Sequence, residues 1–231
     1  MIPNLESYNQ FREDLYEDED LQQRFLAGES FIDLAKESDY DFTFVNSKIA
    51  YLARGPLNEF EESLINQVSD WENGVTSVNP NLWHGYWLGH DSSNKLNILN
   101  GIVQNGPEVS CDSLEQFDEF RVEINEDEEL QKQFIDGVSL VEIGKNRHSH
   151  FSINDSKVAY LYSYSNGHIK FNGGPEDMME DDDWGLTEFE HSFYQKIEAD
   201  SDNSHEIWQK YWLGDNNEYD LASLEKAFLE F

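Results

Sequence analysis

The stretch LESYNQFREDLYEDEDLQQRFLAGESFIDLAKESDYDFTFVNSKIAYL, Leu5 to Leu52, decides the fold, because it returns as LEQFDEFRVEINEDEELQKQFIDGVSLVEIGKNRHSHFSINDSKVAYL from Leu114 to Leu161. The two align without a gap at an offset of 109 residues, pairing Phe11 with Phe120, Leu21 with Leu130, Phe25 with Phe134, Gly28 with Gly137 and Phe42 with Phe151. Matching resumes downstream. EFEESL at Glu59 pairs with EFEHSF at Glu188, and WHGYWLGH at Trp83 pairs with WQKYWLGD at Trp208. Ordered matching of this kind is the signature of an internal repeat. It predicts two related halves, 1–109 and 110–231, the second with an insertion around 162–187.

Within each half the period is helical. Leu5, Tyr8, Phe11 and Leu15 recur at spacings of three and four, an amphipathic stripe. Asp18 or Asp20 is placed to cap a second helix through Leu21 and Phe25, with Gly28 at the position after its end. Ser30 opens a third, FIDLAKES. The second half repeats this with Asn125 or Asp127 as cap and Gly137 as stop. Asn46 and Asn154 read as caps before KIAYLA and KVAYLY. The insertion carries Asn166-Gly167 between alternating aromatic and polar residues, a hairpin signal; the competing reading continues the helix to about Tyr164. GGPEDMMEDDDWG, from Gly173, reads as a solvated loop. The fold class is therefore mainly α, two related helical halves from an internal duplication, with one small β-hairpin in the second half.

Charge is the other decisive feature. The 231-residue chain holds 48 acidic and 15 basic residues, a formal net charge of −33, yet 14% of it is aromatic, which is too much apolar ring for a disordered polyanion. The first half has 6 basic and 19 acidic residues and the second 9 and 29, so the excess is spread along the fold and not confined to a tail. Direct binding to nucleic-acid phosphates is excluded, because it depends on Lys and Arg releasing counterions. No apolar run approaches the ~20 residues of a membrane span, and MIPNLESYNQ has neither a basic nor an apolar signal region. A single cysteine, Cys111, allows no internal disulfide and no cysteine-based zinc cluster. A cytoplasmic location follows as the expectation.

Candidate chemistry is sparse. His148 and His150 stand two apart, and His84 and His90 flank the first tryptophan motif, but their repeat partners are Gln209 and Asp215, so no metal is expected. DSDNSHE from Asp200 alternates oxygen ligands but lacks the glycine and the terminal glutamate of a calcium loop, since those positions are His205 and Tyr211. No nucleophile elbow, phosphate loop or dinucleotide fingerprint occurs, so neither a catalytic residue nor a cofactor is expected. Trp83, Tyr86, Trp87 and Leu88, like Trp208, Tyr211, Trp212 and Leu213, form an aromatic helix face that reads as core, an exposed binding hot spot being the alternative.

Leu5 to Thr43 resembles the Nif11-like leader domain. The features that match are Phe11, the EDEDL run ending at Leu21, Leu34-Ala35, and the Tyr40-Asp41-Phe42-Thr43 run. Asp39 stands where that family usually has Gly; in the second copy Gly144 replaces the Ala, and HSHFS replaces the aromatic run. The resemblance covers less than half of the chain. It implies a docking fold that enzymes modifying a following peptide recognise, although here the sequence closes in the helical SLEKAFLEF.

What remains is acidity beyond solubility, which a net charge of magnitude ~2–8 already secures. Self-repulsion opposes compaction, so the excess calls for a functional cause. The sequence predicts a non-enzymatic protein whose acidic surface occupies a basic surface of a partner protein, most sharply a nucleic-acid mimic inhibiting a nucleic-acid-binding protein. Helix turns repeat every ~5.4 Å and DNA phosphates every ~3.4 Å per strand, so one helix face holds charge at comparable density. The residues are Glu13, Asp14, Glu17, Asp18, Glu19, Asp20, Glu126, Asp127, Glu128 and Glu129, with Asp181, Asp182 and Asp183 in support. The alternatives are a leader-type docking module binding through an apolar groove, an adaptation to brine, and a calcium binder.

Overall fold

In a computed structural model of the chain, residues 3–40, 44–72, 82–88, 95–103, 109–147, 151–165, 186–200, 204–215 and 220–229 are described. They form fourteen α-helices, with no strand among the described residues. The chain divides into two units, Met1–Gly101 and Ile102–Glu230.

The first unit contains α1 (Pro3–Glu17), α2 (Glu19–Leu26), α3 (Phe31–Glu37), α4 (Phe44–Leu52), α5 (Glu59–Glu72), α6 (Leu82–Leu88) and α7 (Lys95–Ile102), whose end marks the boundary. Helix α6 is the centre. Trp83, Tyr86, Trp87 and Leu88 are all buried, and α3, α4 and α5 pack around them. Tyr86 lies 5.4 Å from Phe25, 4.7 Å from Phe31 and 5.2 Å from Trp87, ring centre to ring centre. The apolar stripe of α1 joins this core through Tyr8, Phe11 and Leu15, all with no exposed surface.

The second unit contains α8 (Cys111–Glu126), α9 (Glu128–Ile135), α10 (Leu140–Arg147), α11 (Ile153–Ser165), α12 (Glu188–Asp200), α13 (Ser204–Leu213) and α14 (Leu221–Leu229). Its centre is α13, whose Trp208, Tyr211, Trp212 and Leu213 are buried against α10, α11 and α12. Tyr211 lies 5.1 Å from Phe134 and 5.5 Å from Trp212. The tryptophan motifs are thus core in both units, and the exposed hot-spot reading is set aside.

Helix ends follow local chemistry. Asp18 caps α2, accepting from the Asp20 and Leu21 amides at 2.8 and 3.2 Å; Asp127 does the same for α9, from Glu129 and Leu130 at 2.9 and 3.2 Å. Asp20 is not the cap, and Asn125 instead accepts from the Phe189 amide at 2.8 Å. Gly28 and Gly137 end α2 and α9 at φ +108° and +92°, and the paired bonds Gly28 N to Phe25 O and Glu29 N to Arg24 O close a left-handed cap. Asn46 and Asn154 are not caps. Helices α4 and α11 begin earlier, and Ser152 with Asp155 supplies the reciprocal capping box of α11. Asn154 instead donates to the Val103 carbonyl at 2.9 Å.

A serine one helix away satisfies a carbonyl at the end of each central helix. Ser47 donates to the Trp87 carbonyl and Ser156 to that of Trp212, both serines lying fully buried inside α4 and α11. The last carbonyls of a helix lack internal donors, so a buried hydroxyl there removes a desolvation cost. Gly144, where the first half has Ala35, makes room for Phe151: a Cβ built at Gly144 collides with that ring. Helix α11 continues to Ser165, past the Tyr164 of the competing reading. The Asn166-Gly167 hairpin and the Gly173 loop lie outside the described residues.

Candidate functional site

The carboxylates of the first acidic run come together where α1 meets α2. Asp14, Glu17, Asp18, Glu19 and Asp20, with Leu21 and Ser38, line an open concavity of about 580 Å³. Glu17, Asp18, Glu19 and Asp20 are exposed, and Asp14 is partly so. Helix electrostatics explain half of this arrangement. Glu19 and Asp20 sit in the first turn of α2, where the dipole favours negative charge; Asp14 and Glu17 sit in the last turn of α1, where it opposes it and where no basic residue compensates. Asp14 accepts from the Tyr40 hydroxyl at 2.5 Å, and that bond, with a smaller contribution from burial, pushes the phenol up to about 12.

Glu13 is exposed on α1 outside the concavity. With Glu17 it crowds Tyr16, whose phenol is held up chiefly by the charge of Glu59 at the start of α5. Glu59 is therefore part of this anionic surface, and the sequence reading missed it because it arrives from a different helix.

The second run lies where α8 meets α9. Glu126, Glu128 and Glu129 are exposed, and Asp127 is partly buried as the α9 cap. This cluster is less naked than the first. Arg147 pairs with Glu123 and, at 3.3 Å, with Asp127. Asp181, Asp182 and Asp183 lie outside the described residues.

Each unit also holds a buried ion pair that was not among the sequence candidates. Arg12 donates to both oxygens of Glu61, at 2.7 and 2.6 Å, and to Asn9 and the Arg54 carbonyl at 3.0 and 3.1 Å. Its guanidinium lies 5.1 Å from the Trp87 ring centre. In the second unit Arg121 donates to both oxygens of Glu190 at 2.9 and 2.6 Å, with Asp118 at 3.1 Å and Trp212 at 5.1 Å. Both glutamates also close a capping box, with Asn58 at the start of α5 and Thr187 at the start of α12. Tyr211 donates to Glu190 at 2.7 Å, while the Tyr86 hydroxyl feels the charge of Glu61 but forms no well-aligned bond. Burial lowers the affinity of each guanidinium for its proton, and the carboxylate more than restores it.

These pairs are scaffold. Their polar atoms are engaged with one another. Among the described residues no group of three or more His, Cys, Asp or Glu is arranged to hold a metal ion. His84 is half-buried on α6, and burial shifts it toward the neutral form. His90, His148, His150 and Asp202 lie outside the described residues, as do Asp41, Phe42 and Thr43; for Asp200 and Cys111 the backbone alone is described. No described helix is long and apolar enough to cross a membrane.

The described residues define a mainly α protein with exposed carboxylates gathered at helix junctions and a buried Arg–Glu pair in each unit. The chain matches no protein-family model, no curated protein and no solved structure.

Proposed function

We propose that the chain is a non-enzymatic acidic binding protein that occupies a basic surface of a partner protein, in its sharpest form as a nucleic-acid mimic that blocks a nucleic-acid-binding enzyme or defence factor. The observation that carries this reading is the gathering of Asp14, Glu17, Asp18, Glu19 and Asp20 around one concavity at a capped helix junction. Charges fixed on helix ends keep their spacing, so a partner meets a preformed anionic relief and loses little entropy in ordering it. Two of these groups stand at the unfavourable end of α1, a placement that stability does not select. The matched clamps, serine bonds and caps of the two units support an origin by duplication, with a second anionic junction at Glu126, Glu128 and Glu129 as its product. A leader-type docking module is the second reading, supported by the Leu5–Thr43 pattern; it binds through apolar contacts.

The test is capture from a cell extract on the immobilised chain, eluted with increasing salt and, separately, with duplex DNA. Mimicry predicts capture of nucleic-acid-binding proteins, released by moderate salt and displaced by DNA. Exchange of Glu17, Glu19, Asp20, Glu126, Glu128 and Glu129 for Lys abolishes capture while leaving the Asp18 and Asp127 caps intact. Capture that survives both salt and charge reversal refutes mimicry and favours docking.

A further inference from the structure

One exchange between the two helix junctions bears on what the first of them accepts. In the second unit Arg147, the last residue of α10, lays its guanidinium on the α8–α9 junction. One terminal nitrogen pairs with Glu123 and the other, at 3.3 Å, with Oδ2 of Asp127. Oδ1 of Asp127 meanwhile keeps the α9 cap. At the repeat offset of 109 the counterparts of Glu123, Asp127 and Arg147 are Asp14, Asp18 and Ser38. All three line the concavity of about 580 Å³ where α1 meets α2. Both carboxylates are thus kept, and a short hydroxyl stands in place of the cation. Asp18 holds the α2 cap through Oδ1, so Oδ2, the atom that Asp127 offers to Arg147, makes no bond among the described residues. Asp14 accepts from the Tyr40 hydroxyl and, at 3.3 Å, from the Gln10 amide, two of the about four lone-pair sites of a carboxylate. Arg24 on α2 is committed to Glu29 and Glu37, and no cation pairs with Asp14 or Asp18 among the described residues.

We propose that the concavity of the first unit is a seat for one arginine side chain of a partner protein, whose guanidinium takes Asp14 and Asp18 as Arg147 takes Glu123 and Asp127. This rests on the reading of the chain as an acidic binding protein and names the group that its surface receives. The second unit carries its own occupant, and the first takes one from outside. Arginine fits this seat better than lysine. Arg147 spans two carboxylates with two nitrogens of one rigid plane, whereas an ammonium is a compact point charge on a flexible stem. Glu17, Glu19 and Asp20 around the seat raise the local concentration of cations. Arg147, Glu123 and Asp127 stay 39%, 42% and 34% exposed, so such a contact works in water and is weak and salt-sensitive by itself. The seat therefore fixes where an arginine lands, and affinity for a whole partner comes from further contacts around it.

The probe is the capped tripeptide acetyl-Gly-Arg-Gly-amide, with acetyl-Gly-Lys-Gly-amide as control, titrated into the full chain at low ionic strength while backbone amide shifts are followed by heteronuclear NMR. The amides of 18–21 and 38 are expected to shift saturably with the arginine peptide and several-fold more weakly with the lysine peptide, while those of 127–130 stay still. Asp18→Asn keeps the capping chemistry and weakens the arginine response several-fold. Ser38→Arg brings the second unit's cation into the first and abolishes the response. Arg147→Ser opens the second junction and creates a response at 127–130, a gain that misfolding does not imitate. The assignment is overturned if 18–21 ignore the arginine peptide, if lysine serves equally, if the response survives Ser38→Arg, or if 127–130 remain silent in Arg147→Ser. Capture from extract separates this from the broader reading. If Ser38→Arg captures basic proteins as well as the native chain does, acidic binding stands and the arginine seat falls. A peptide response in a chain that captures none keeps the seat and removes the broader reading.

Discussion

Glu190→Gln tests the interior most severely. The carboxylate receives two bonds from Arg121, one from the Thr187 amide and one from the Tyr211 hydroxyl, and both charged side chains are sealed, with 0% and 1% exposed. Glutamine keeps the volume and the helix-capping chemistry of the N3 position but removes the charge. Arg121 then keeps only the more exposed Asp118 as a counter-charge, and a guanidinium has no neutral form to retreat into. Breaking such a pair costs about 3–5 kcal/mol, which in a chain of this length lowers the melting temperature by about 10 °C or more. Urea denaturation with tryptophan fluorescence measures it, since Trp212 lies 5.1 Å from the guanidinium. The equivalent Glu61→Gln leaves Arg12 with the neutral acceptors Asn9 and the Arg54 carbonyl, where Arg121 keeps a carboxylate in Asp118. Replacing both partners with apolar residues, as in Arg121→Met with Glu190→Leu, recovers most of the loss. A loss below about 1 kcal/mol for Glu190→Gln, the value of an exposed pair, refutes the clamp.

Two further outcomes follow from single residues. Asp39 ends α3 at φ +63°, in the region that favours glycine, and so Asp39→Gly raises stability by up to about 1 kcal/mol in the same urea assay, a loss instead pointing to a role for the side chain. Tyr40, pushed up to about 12 by its bond to Asp14, keeps that contribution below pH 10 and loses it as pH rises toward 12; ultraviolet titration of Asp14→Asn is expected to show one tyrosine returning toward 10, and an unchanged curve contradicts the bond.

Reading the helices from the sequence succeeded where the cause is local. Period, cap and stop lie within a few residues of one another in Asp18–Gly28 and Asp127–Gly137, so each element carries its own instructions. Asn46 and Asn154 misled because an asparagine ahead of an apolar run imitates a cap, while the true cap of α11 is Ser152, two residues upstream of Asn154, boxed with Asp155. The tryptophan faces were legible as core from their placement in both halves. The Arg–Glu clamps were not, since their partners stand 49 and 69 residues apart and each glutamate is one among 48 acidic residues. A signal existed: Arg12 and Arg121 follow matched phenylalanines, and Glu61 and Glu190 occupy matched third positions of their helices. The acidic runs were visible because they are continuous in the chain, whereas Glu59 joins Glu13 and Glu17 at Tyr16 only after folding.

The clamps also divide the molecule's charged residues into two populations with separate fates. Those sealed beneath tryptophan are fixed by each other, so a change at one demands an answer at the other. Exposed carboxylates that neither cap a helix, as Asp18 and Asp127 do, nor accept from a tyrosine, as Asp14 does, escape that demand, and drift can rewrite them singly. Such a body retargets itself by repainting, keeping one chassis while its outer pattern follows whatever counterpart it meets.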